Sequence, residues 1–227
     1  MFRRLQDRFA TLATMTPQRL PDCIHPQWAS AGRTWPGRLC RMLLHAMGWR
    51  LVFDFPRIDK AVAVFYPHTS NWDFVIGLLA KFGGGVPAIW AGKDNLFRWP
   101  FCGLWRRLGG IPVNRREHTG FVGQMTAEFS LRSAMLLAIA PEGTRRRTEF
   151  WKSGFYRVAL SARVPIALAF IDFRKKEVGV GGLMMPTGDI AADMAVLWVF
   201  YAGKTGRHPD QSGPIALKPG TVAPVAP

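Results

Sequence analysis

Residues 61–66 (AVAVFY) form a charge-free run that stops abruptly at residues 67–73 (PHTSNWD), and an apolar helical pattern takes over at once. No other stretch constrains the fold so tightly. A short run rich in β-branched and aromatic residues suits a strand buried on both faces, which requires a sheet with helices on both sides. Ser70 or Asn71 can cap the free N–H groups of the helix that follows, and Phe74, Val75, Leu78 and Leu79 supply its apolar stripe. Asp73 then falls in the first turn.

His68 therefore sits just past a strand end and over a helix start, five residues before a carboxylate. A carboxylate in reach fixes the tautomer of an imidazole and stabilises the imidazolium formed when it takes a proton. His68 and Asp73 are thus a candidate general-base pair, which needs no serine or cysteine if the substrate brings its own hydroxyl. The same spacing also fits a first-turn charge with no chemical role. Spacing alone leaves both readings open.

The length of 227 residues with 48% hydrophobic content suits one domain with a sizeable core. A formal charge of +15 points to an anionic partner: nucleic acid, an acidic leaflet or a phosphorylated substrate. Cys23, Cys40 and Cys102 are far apart with no ligand-spaced histidine, so neither a disulfide framework nor a metal site is expected. The first twenty residues lack the apolar block of a secretion signal. No window reaches about 18 uninterrupted apolar residues, so no spanning helix is expected.

The chain divides on this reading into an arm with a docking helix (1–57), a main domain (58–210) and a loose, proline-rich tail (211–227). Residues 37–53 read as a basic amphipathic helix: Arg38, Arg41 and His45 share one face, while Leu39, Met42, Leu43, Ala46, Met47, Leu51 and Val52 fill the rest. With Trp49 at its edge, such a helix suits a bilayer interface. It equally suits packing on the sheet with snorkelling arginines.

Further along, residues 86–91, 111–113, 135–140, 164–171 and 178–183 read as strands, and 121–132, 155–162 and 189–202 as helices. Pro100 should divide the aromatic and basic stretch 95–108. If the strand at 135–140 runs parallel to that at 61–66, Glu142, Gly143, Thr144 and Arg145 reach the same sheet edge as His68, where open α/β sheets bind ligands. Gly143 permits close backbone approach, Thr144 offers a hydroxyl and Arg145 a fork of donors, a set suited to an oxyanion or phosphate. Glu142 is expected to orient Arg145 or to accept a hydrogen bond from a substrate hydroxyl.

HTSNWD (68–73), GIPVNR (110–115), EGTR (142–145) and VPIAL (164–168) occur in the order of the four boxes of the PlsC-like glycerolipid acyltransferases, which the chain resembles over about residues 60–170. The resemblance implies an α/β fold with a mixed, largely parallel central sheet flanked by helices. It also implies transfer of a fatty acyl group from a thioester, on coenzyme A or acyl carrier protein, to a lysolipid hydroxyl. His68 and Asp73 would be the catalytic pair, Arg115 and Arg145 the grip on the acceptor phosphate, Lys93 a nearby cation, and Pro165 a shaper of the pocket wall. No metal or cofactor is needed, since thiolate is a good leaving group. The leading acceptor is 1-acylglycerol-3-phosphate, with a lyso-ornithine lipid or another lysophospholipid as alternatives, because Arg146 stands where the family commonly has serine. The expected partners are the lysolipid, an anionic membrane surface on the cytoplasmic side and acyl carrier protein. Two rivals remain: a hydrolase, and a basic binder of membrane or nucleic acid, although no RNA-binding or helix-turn-helix signature accompanies the charge.

Overall fold

A computed structural model describes residues 34–54, 58–113 and 120–221. In chain order, α1 (Trp35–Ala46) leads to β1 (Arg50–Phe53), β2 (Lys60–Tyr66), α2 (Asn71–Gly84) and β3 (Ala88–Lys93). A 3-10 turn at Asp94–Phe97 precedes α3 (Cys102–Arg107), β4 (Gly110–Val113), α4 (Gly120–Leu131) and β5 (Met135–Ile139). Then come α5 (Gly154–Ala162), β6 (Ile166–Asp172), β7 (Glu177–Met184), α6 (Ile190–Tyr201) and a short 3-10 turn, Pro209–Gln211.

The strands form one seven-stranded sheet in the order β1-β7-β6-β2-β5-β3-β4, parallel throughout except for the β6–β7 pair. The fold is therefore the expected mixed α/β class. β2 lies at the centre, and its alternate residues feed two different layers, as strand geometry requires. Val62, Val64 and Tyr66 join a core built with Met125 and Phe129 of α4, Phe155 and Val158 of α5, and Leu197 and Tyr201 of α6. Ala61 and Ala63 face the opposite side, where Leu44 of α1 packs with Ile76 and Ala80 of α2.

The N-terminal segment departs from expectation. The helix closes at Ala46, Gly48 turns the chain with φ of 76°, and Arg50–Phe53 pairs with β7 as an edge strand. Alternation of Leu51 and Val52 with a following aromatic suits a strand as well as a helix, and the left-handed glycine decides between them. Trp49 is 7% exposed and meets Phe173 edge-on at 4.9 Å, so it belongs to the core and not to an interface. Arg41 donates to the Gly83 carbonyl at 3.1 Å, near the C-terminal end of α2, where a cation is favourable. What remains open on α1 is a face carrying Trp35, Met42 and Leu43. The expected arm before residue 34 lies outside the described residues, and no described helix is long and apolar enough to cross a membrane.

The tail expectation is also overturned for residues 211–217. Gly213 and Leu217 are buried, and Leu217 bridges to Trp151, whose N–H donates to the Ala216 carbonyl at 2.7 Å. Small residues and prolines look the same in sequence whether the chain is loose or threaded between loops. Here backbone hydrogen bonds hold it.

Candidate active site

β2 and β5 run in register, with Val64 opposite Ile139, so the loops that follow them leave the sheet at one edge. That brings the His68 and Glu142 segments together. The start of α2 is fixed by a reciprocal cap: Ser70 Oγ accepts from the Trp72 N–H at 3.2 Å, and Asp73 Oδ2 accepts from the Ser70 N–H at 2.7 Å. Asp73 is 1% exposed, and the Ser70 N–H holds its carboxylate through Oδ2.

His68 Nδ1 lies 3.2 Å from Asp73 Oδ2. The distance is that of an ion pair, although the approach is too bent for a straight hydrogen bond, and Nδ1 and Asp73 Oδ1 are both buried without a hydrogen-bond partner. In catalytic pairs such contacts shorten and straighten in the Michaelis complex. Because Nδ1 faces the carboxylate, Nε2 is the ring nitrogen turned away from it, and the side chain keeps 18% of its exposure. The pair can thus take a proton at Nε2 while the charge formed is balanced from behind.

Glu142 does something other than expected. It is 1% exposed; Oε2 accepts from the His68 N–H at 2.8 Å and Oε1 from the Gly213 N–H at 3.3 Å. It therefore neither orients Arg145 nor meets a substrate hydroxyl. It clamps the backbone of His68 to the C-terminal segment. Burial pushes its carboxyl above the ordinary range, and the two N–H donors oppose that shift in part.

Gly143 adopts φ of 66° in the turn after β5, a conformation that favours glycine. Thr144 is exposed and accepts from the Arg146 N–H at 3.3 Å. Arg145 is exposed and lines a cleft that opens beside Thr69, the residue after His68. Lys93 ends β3 at the same sheet edge. Arg115 lies outside the described residues. Pro165 is a correction: its carbonyl accepts from the Val62 N–H at 3.0 Å and β6 begins just after it, so it sits at the opposite end of β2 from His68. From Val62 to Tyr66 the strand climbs roughly 13 Å at ~3.3 Å per residue, too far for Pro165 to wall a pocket at His68.

The segment 203–217, of which 211–217 read as a loose tail, is central here. Its Thr205 carbonyl accepts from the Phe173 N–H at 2.8 Å, its His208 N–H donates to Thr69 Oγ1 at 3.2 Å, and its Gly213 carbonyl accepts from the Tyr66 hydroxyl at 3.2 Å. With its amide turned so that nitrogen faces two carbonyls, Gln211 donates to Thr69 at 3.1 Å and Arg145 at 2.5 Å. This strap ties both loops together and carries Arg207 and His208 to the cleft. The signal available was two glycines, Gly206 and Gly213, bracketing a polar cluster.

A family model described as Acyltransferase matches residues 54–170. Among solved structures, one titled as the crystal structure of the 1-acyl-sn-glycerophosphate (LPA) acyltransferase, PlsC, from Thermotoga maritima is similar at 14% identity and a TM-score of 0.45. That match covers 67% of this chain and 67% of the other. No curated protein matches the sequence.

Proposed function

The chain belongs to the acyltransferase family, and from that premise we propose that it moves a fatty acyl group from a thioester to the free hydroxyl of a lysolipid, with 1-acylglycerol-3-phosphate as the leading acceptor. The observation that carries the reading is the buried Asp73 carboxylate 3.2 Å from His68 Nδ1. His68 Nε2 takes the acceptor's hydroxyl proton as the oxygen attacks the thioester carbonyl. The tetrahedral intermediate then collapses, the C–S bond breaks, and the imidazolium returns its proton to the departing thiolate. The products are an ester and a free thiol, so no enzyme nucleophile, metal or cofactor enters the balance. A placed general base contributes about 100- to 10,000-fold, and Asp73 keeps the imidazolium from being an isolated charge.

The acceptor and donor both favour a membrane-proximal site. A lysolipid resides in a bilayer, and a protein of charge +15 is drawn to anionic lipids and to an acidic carrier protein. The open face of α1, with Trp35, Met42 and Leu43 beside exposed Arg38, supports peripheral docking at an anionic membrane surface.

The test is a single assay in which purified protein is incubated with labelled acyl-coenzyme A or acyl carrier protein and lysolipids with and without phosphate. The expected result is a diacyl product with one thiol released per ester formed. Free fatty acid released without any need for a lysolipid would make the protein a hydrolase. Binding without turnover would make it a noncatalytic basic protein.

A further inference from the structure

The cleft that opens beside Thr69, the residue after His68, has a volume of about 390 Å³ and is lined also by Ser70, Asn71, Trp72, Arg145, Arg207, His208 and Gln211. Two arginines and a histidine line it, and among the described residues no acidic one does. One of the two arginines, Arg207, belongs to the C-terminal strap, beyond the stretch 54–170 that the family model matches. We propose that Arg207 is a specificity-determining residue: with Arg145 it grips the phosphate of the acceptor's head group, and so selects anionic over neutral lysolipids.

The backbone at Arg207 is fixed on both sides. A Cβ at Gly206 would come within 2.6 Å of Thr69 Oγ1, so the strap lies directly on the loop that carries His68. The His208 N–H is bonded to that same oxygen at 3.2 Å. The side chain is also oriented, since the Arg207 guanidinium carbon stands 5.3 Å from the centre of the Trp72 ring. A guanidinium held over an aromatic ring keeps N–H donors for a phosphate. Arg145 comes from the loop after β5, and Gln211 bonds that loop to the strap through the Arg145 carbonyl. The two cations are therefore held by one hydrogen-bonded unit. A phosphate gripped by two pre-positioned arginines is bound more strongly than by either alone. A cleft of about this size accommodates a polar head group.

The inference rests on the acyl-transfer reading for its substrate but not for its chemistry, and the experiment separates the two. With the full chain, kcat and KM are measured for 1-acylglycerol-3-phosphate and for the phosphate-free 1-acylglycerol, in wild type, Arg207→Ala, Arg207→Lys and Arg207→Glu. Binding of glycerol 3-phosphate is measured by calorimetry in the same proteins. Loss of one charged hydrogen-bonding partner should raise KM for the phosphate acceptor ~10- to ~100-fold in Arg207→Ala, with kcat and the donor KM kept. Arg207→Lys should recover part of that loss, Arg207→Glu should exceed it, and the neutral acceptor should respond to none of them. If no acceptor is acylated, a weakened grip on glycerol 3-phosphate in Arg207→Ala still supports the cleft while removing the acyl-transfer reading. Unchanged phosphate-acceptor KM and unchanged glycerol 3-phosphate binding would overturn the proposal. So would a rise confined to the donor KM, which would assign Arg207 to the phosphates of coenzyme A.

Discussion

Replacing Glu142 by Gln tests whether a buried carboxylate with no access to substrate controls the rate through His68. Wild-type Glu142 offers one oxygen to each of two N–H groups, at 2.8 Å to His68 and 3.3 Å to Gly213. A glutamine has one acceptor; its NH2 must face one of those donors, so one anchor of the His68 loop is lost whichever way the amide turns. A hydrogen bond to a charged group is worth about 1.5–3 kcal/mol, but the substitution also removes a buried charge whose desolvation costs several kcal/mol. The two effects oppose, and the net stability change should stay within about 2 kcal/mol. The rate has no such offset: a misplacement of about 1 Å at a reacting group costs on the order of 100-fold. The expected outcome is therefore kcat lowered roughly 10- to 100-fold with acceptor KM unchanged, measured beside urea unfolding. The pH dependence carries a second signature. Because burial holds the Glu142 carboxyl above its ordinary value, ionisation costs the folded state at neutral pH. That cost is relieved as pH falls through the raised value, so the wild type should gain stability relative to the variant on acidification. Wild-type kcat in Glu142→Gln would refute the clamp, and a changed acceptor KM at constant kcat would put Glu142 against the substrate instead.

Three further outcomes follow from neighbouring contacts. A Cβ at Gly213 would lie 2.3 Å from the Thr148 carbonyl oxygen, so Gly213→Ala should shift the strap and lower kcat, whereas Gly203→Ala, with nothing within 4 Å, should not. Steady-state rates on the two variants check this. Tyr201 is 1% exposed and its hydroxyl donates to the Val64 carbonyl at 2.6 Å. Tyr201→Phe removes that buried hydrogen bond and should cost about 0.5–1.5 kcal/mol in chemical denaturation. Met42 and Leu43 are 62% and 43% exposed, so serine at both should abolish salt-sensitive flotation with anionic vesicles while leaving the unfolding midpoint in place; persistent flotation would remove α1 from the docking surface.

Charge-free runs such as residues 61–66 and 135–139 declared themselves as strands because a strand buried on both faces admits no charge. His68 and Asp73 were legible for a related reason: a strand end, a capping serine and a first-turn carboxylate fix each other's positions over a few residues. What the sequence hid was long-range. Nothing in EGTR indicates that the acceptors of Glu142 are filled by backbone N–H groups of residues 74 and 71 positions away. Pro165 belongs to a segment in family order, but order along the chain does not tell which end of a strand faces the site. Residues 37–53 read as one helix because an apolar edge strand and a helical stripe share residues such as Leu51 and Val52, and only the left-handed turn at Gly48 separates them. Residues 211–217 read as a loose tail because their anchoring is by main chain and by Gln211, and composition is blind to both.

In the proposed mechanism His68 removes the acceptor's proton, and the most direct measurement is the acyl-transfer rate of His68→Ala. The side chain keeps 18% of its exposure, and the hydrogen bond that locates the loop uses its backbone N–H, so the variant should unfold at the wild-type midpoint. Under saturating donor and acceptor, kcat should fall about 100- to 10,000-fold. A folded His68→Ala protein that forms the ester at the wild-type rate would contradict it.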